Sequence, residues 1–110
     1  MIRIAPEIPN ASVGNLIAPG LEVASNKRIV YILKNGASPP RYYTGLTSNL
    51  EARLIFHNKG LCVHTANGRP WQIDVLVEFA DESRALAFEK YLKSGSGVAF
   101  SRRHLRASLA

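Results

Sequence analysis

The sequence has a single cysteine, Cys62, in 110 residues, so no intrachain disulfide can form. It has no apolar run approaching the roughly 18–20 residues that cross a bilayer. Its first residues lack a basic segment followed by an apolar core, because Pro6, Glu7, Pro9 and Asn10 interrupt them. The expectation from these absences is a reducing intracellular compartment, the cytoplasm. There is no C-x-x-C pair, so His57, Cys62 and His64 lack the thiolate set of a structural zinc site. Internal repeats and low-complexity segments are missing as well. Acidic residues are scarce: 8 Asp and Glu stand against 14 Lys and Arg, giving a net charge of +6 and a pI near 9.9. The 46% hydrophobic content is too high for a disordered chain and suits one small domain.

The positive charge is unevenly spread. Residues 1–26 carry a net −1, residues 27–60 a net +5, and the remainder a net +2. A polyanion bound near residues 27–60 would account for that bias. A basic domain that binds no nucleic acid is the plain alternative.

Residues 1–26 are broken by Pro6, Pro9, Gly14, Pro19 and Gly20 and read as an arm, with a short strand or turn near Leu16–Ile17. Residues 27–110 read as the folded domain. Ile29-Val30-Tyr31-Ile32-Leu33 is short, β-branched and apolar on both alternating sets, which predicts a central strand over Arg28 to Lys34. Asn35-Gly36 and Ser38-Pro39-Pro40 turn the chain. Arg41 to Leu46 then completes an antiparallel hairpin. Gly45 inside a strand marks a bulge or a close approach by another group. Ser48 or Asn49 caps a helix that carries Leu50, Leu54, Arg53 and His57 to about Asn58, with Gly60 as its stop. Arg53 and His57 lie four apart and share a face. Trp71 to Phe79 alternates, which predicts a third strand with Ile73, Val75, Val77 and Phe79 on one face and a half-solvated face opposite. Asp81 caps a helix to about Lys93 with Ala85, Phe88 and Leu92 inward. A basic helix follows from Val98 to Leu109, with Arg102, Arg103 and Arg106 mostly outward. The order β-β-α-β-α-α predicts an α+β fold, a small three-stranded antiparallel sheet flanked by helices.

These residues in this order resemble the GIY-YIG endonucleases. Ile29-Val30-Tyr31 stands at the first triplet and Tyr43-Thr44-Gly45 at the second. Arg53, His57 and Glu89 stand at the family's arginine, helix histidine and metal-binding glutamate. The likeness runs from about Arg28 to Arg106. It is nearest the small stand-alone branch, through Leu92-Lys93-Ser94-Gly95-Ser96-Gly97 and through His64-Thr65 with Pro70-Trp71. Ile29 replaces the first glycine. Leu46 replaces the lysine of the excision-repair UvrC branch, which separates this chain from that repair enzyme's mechanism.

The resemblance implies a metal-dependent endonuclease that hydrolyses nucleic-acid phosphodiesters, with DNA the expected partner and Mg²⁺ or Mn²⁺ the cofactor. Tyr43 would orient or deprotonate the water, Tyr31 would position the phosphate or the other tyrosine, and His57 would move a proton. Arg53 would hold the phosphate through its fork of donors, and Glu89 would carry the metal. Candidate nucleic-acid contacts are Gly45, His64, Lys90, Lys93, Arg102 and Arg103. Plainer readings exist for each. Tyr31 and Tyr43 are also ordinary sheet aromatics, and Glu89 is also an i, i+4 partner for Lys93. A non-catalytic nucleic-acid-binding module and a protein-interaction domain using the arm are the functional alternatives. A second copy or a protein partner would supply specificity. The residues alone do not separate DNA from RNA.

Overall fold

Four strands form one antiparallel sheet in the computed structural model, which describes residues 2–4 and 26–106. The strands are β1 (Ile2–Ile4), β2 (Ile29–Asn35), β3 (Tyr42–Thr47) and β4 (Trp71–Glu78), in the order β1-β4-β2-β3. The expected three-stranded α+β sheet is therefore present, and Ile2–Ile4 adds an edge strand on β4, with Ile2 opposite Val77. The element suggested near Leu16–Ile17 lies outside the described residues.

The helices are α1 (Leu50–Asn58), α2 (Glu82–Leu92) and α3 (Gly95–His104). Asn49 caps α1 by accepting from the Ala52 N–H, and Asp81 caps α2 by accepting from the Arg84 N–H. The last helix starts at Gly95 rather than Val98. Ser94 accepts from the Gly97 N–H, so the Gly95-Ser96-Gly97 run forms its first turn instead of preceding it. Glycine is needed at 97, because a Cβ there would collide with the Tyr91 carbonyl oxygen and the Leu92 Cα. That contact lets α3 begin against the end of α2.

The sheet is covered on both faces. Val30, Ile32, Val75 and Val77 pack with Ala85 and Leu92 under α2 and α3. Tyr31, Leu33, Ile73 and Leu76 pack with Leu50 and Trp71 under α1. β2 is thus buried on both sides, as its sequence requires. The reading of β4 needs correction. Ile32 pairs with Val75 but Leu33 pairs with Ile73, so Asp74 is an extra, bulged residue. The bulge turns Ile73 to the α1 face while Val75 and Val77 keep the other. Leu76, expected on a half-solvated face, is fully buried beneath α1.

Candidate active site

The hairpin register sets Tyr31 opposite Gly45 and Leu33 opposite Tyr43. Tyr31, Tyr43 and Gly45 therefore share the face that α1 covers. A Cβ on Gly45 would overlap the Tyr31 hydroxyl and ring, so the close approach suggested by a strand glycine is that of Tyr31. Gly45 is buried beneath that ring.

Tyr31, 1% exposed, and His57, fully buried, are joined through Tyr31 Oη and His57 Nε2 at 2.9 Å. His57 Nδ1 lies 2.8 Å from Thr65 Oγ1, and that hydroxyl is within 3.5 Å of the Cys62 carbonyl. One proton arrangement serves every atom. Tyr31 O–H donates to Nε2, Nδ1–H donates to Thr65, and Thr65 donates to the Cys62 oxygen. Trp71 Nε1 donates to the Thr65 carbonyl at 2.8 Å, and the Asn58 side chain clamps the Trp71 backbone at both N–H and C=O. The His64-Thr65 and Pro70-Trp71 segments thus build a scaffold that fixes the His57 ring. In sequence, Thr65 enters only through the His64-Thr65 segment and Asn58 only as a helix end, with no site role for either. Thr65 stands one residue from His64, but its buried contact to His57 spans a loop that no periodicity describes.

The Tyr43 ring lies 4.9 Å from the His57 ring and 6.5 Å from the Tyr31 ring, centre to centre. It is half-buried, which leaves its hydroxyl the more accessible of the two tyrosines. The Arg53 guanidinium stacks over Phe56 at 4.3 Å, and its Nε is buried with no hydrogen-bond partner. Arg53 is also close enough to Tyr31 and His57 to act on both. Burial pushes the Tyr31 phenol up to about 12, against the pull of Arg53. Burial also raises Tyr43; Cys62 adds to that, and Lys93 and Arg53 oppose it. His57 is held below its ordinary value by desolvation and then by the Arg53 charge. The cluster is therefore uncharged at neutral pH except for Arg53. Burial works to raise the Cys62 thiol, but hydrogen bonds from Thr65, from the His64 and Thr65 backbone and from Tyr43 bring it below its ordinary value. Cys62 is thus part of the hydrogen-bonded turn under Tyr43 rather than only a small hydrophobe.

Tyr31, Tyr43, Arg53 and His57 come together on the α1 face. Glu89 stands on α2, in the opposite helix layer. Its side chain is 13% exposed and is paired with Lys93, the i, i+4 partner foreseen by the plainer reading. Lys93 in turn is near enough to Tyr43 to oppose the rise in its pKa. His64, Lys90, Lys93, Arg102 and Arg103 are exposed. Arg106 is not outward: it is half-buried and stacks on Tyr42 at 4.0 Å. Among the described residues no three His, Cys, Asp or Glu side chains cluster to hold an ion, and no helix is long and apolar enough to cross a membrane.

The GIY-YIG catalytic domain model matches residues 27–98. The chain belongs to the GIY-YIG family. No curated protein and no solved structure matches it. The matched range of this GIY-YIG protein begins just before β2 and ends in the first turn of α3, so it takes in both tyrosines, α1 and Glu89. The family is one of nucleases, which gives the tyrosine–arginine cluster its chemical context.

Proposed function

We propose that this GIY-YIG protein is a divalent-metal-dependent endonuclease of the cytoplasm that hydrolyses DNA phosphodiester bonds. Residues 27–110 form the nuclease unit in this reading and residues 1–26 an arm. One juxtaposition supports the reading: half-buried Tyr43 feels the charges of both Arg53, on α1, and Lys93, which follows α2 and is paired with Glu89.

Arg53 receives the phosphate. Its Nε has no acceptor among the described residues, and a guanidinium fork matches phosphate oxygens in two bonds at once. Its charge is most valuable as negative charge builds on the transferred phosphorus group. Tyr43, a neutral phenol at neutral pH, orients the attacking water through its oxygen rather than deprotonating it. Tyr31 and His57 are sealed from solvent, so they position Tyr43 and Arg53 and touch no substrate. Glu89 is the metal residue. A single carboxylate suits Mg²⁺ or Mn²⁺ that keeps most of its waters, and an ion at Glu89 would have to displace its pairing with Lys93. When bound, the ion supplies Lewis-acid polarisation of the phosphate oxygens.

Supercoiled plasmid and single-stranded DNA, incubated with Mg²⁺ or Mn²⁺, test the proposal. Wild type nicks, and Glu89→Ala and Arg53→Ala lose about 100-fold or more of the rate, while Glu89→Ala keeps its DNA affinity. The Glu89–Lys93 ion pair favours a second reading, a nucleic-acid-binding module without catalysis. Salt-sensitive binding with no metal-dependent nicking in any condition decides for it.

A further inference from the structure

Edge strand β3 and the α2–α3 layer enclose a cleft of about 290 Å³, distinct from the buried tyrosine–histidine cluster but reaching Tyr43. Its lining is more polar than apolar, but one wall is apolar, from Ile32, Leu92 and Val98. Lys93 and Arg106 line it as cations, and no lining residue is acidic. The Arg106 guanidinium lies over the Tyr42 ring at 4.0 Å, and its Nε is buried with no hydrogen-bond partner among the described residues. Asp74 feels the Arg106 charge, yet its Oδ2 is buried and unpartnered too, so the two do not satisfy each other. A buried guanidinium nitrogen left without an acceptor is costly, and an acceptor from outside the chain relieves it.

We infer that this cleft takes one unpaired nucleotide of the substrate, next to the phosphate held at Tyr43. The base lies against the apolar wall and the Arg106 guanidinium, and the backbone phosphates meet Lys93 and Arg106. The size is near the lower bound of small-ligand clefts, roughly 300 Å³. A flat base stacks on an arginine plane as well as on an aromatic ring. A base locked in a duplex is not available to enter, so the cleft makes single strands and flaps the preferred substrates. The identity of the neighbouring phosphate rests on the nuclease reading, but nucleotide binding in the cleft needs no catalysis.

The test is binding of the full chain, in EDTA and at fixed salt, to a short oligothymidylate and to a duplex of the same length. Arg106→Ala removes the stacking plane, and Val98→Phe fills the cleft without touching any charge. Each variant is first compared with wild type by thermal melting. The cleft assignment predicts that both lose about tenfold in single-strand affinity while duplex affinity changes less than about threefold. Equal losses on both ligands, or no loss in Val98→Phe, overturns it and leaves Arg106 as a structural contact to Tyr42 and a water. If the single-strand preference holds but Mg²⁺ brings no cleavage of either ligand, the nuclease reading falls and the cleft stands.

Discussion

Tyr31 and Gly45 work as one unit. The phenol occupies the space a side chain at 45 would need, and it donates a hydrogen bond to His57. Gly45→Ala should destabilise the domain by about 1–3 kcal/mol through overpacking, read as a lower urea midpoint, and should displace the Tyr31–His57 contact on which Tyr43 rests. The Tyr31 titration gives an independent check. Its folded pKa, about 12, lies above the ordinary value of 10. The neutral phenol is thus favoured by folding. Its contribution, about 2–3 kcal/mol, is present below pH 10 and is lost as pH rises from 10 to 12. Ultraviolet titration should show a tyrosine that ionises only with unfolding, and Tyr31→Phe should abolish that phase. His57 has the opposite sense. Its depressed pKa means that stability falls as pH drops below about 6.5, and His57→Gln should flatten that slope.

At the scale of elements, short-range chemistry was legible and packing between elements was not. Asn49, Asp81, Gly60 and the alternating apolar sets of β2 are local signals, and they set α1, α2 and the hairpin where the structure has them. The β4 bulge is different. Trp71 to Phe79 alternates well apart from Leu76, and only its pairing with β2 shows that Asp74 is skipped. Arg106 reads as one more surface charge, and the Tyr42 ring that holds it is far away in sequence. The start of α3 was misplaced because its run of Gly95 and Gly97 reads as a stop. Its glycine is there for the α2–α3 crossing, so Gly97→Ala should lower the melting temperature at a cost of about 1–3 kcal/mol. Among the candidate site residues, the tyrosine–arginine–histidine group was legible because one hairpin and one helix carry it. The supports at Thr65 and Asn58 were not, because their partners are reached across a loop.

The described residues form a sheet with two helix layers, and the proposed site straddles its β3 edge. Arg53 belongs to the α1 layer and Glu89 to the α2–α3 layer, with Tyr43 on the strand between them. A net charge of +6 gives such a site a polyanion-attracting field, so binding to DNA should weaken steeply with added salt. The central claim is that the two layers act on one phosphate. A double-mutant comparison of single-turnover cleavage with Mg²⁺ tests it most directly, using Arg53→Ala, Glu89→Ala and the two combined. Residues that serve one transition state are non-additive, so the double variant should be within about tenfold of the slower single variant. Losses that multiply in full, or a Glu89→Ala protein that cleaves at the wild-type rate, would contradict the account.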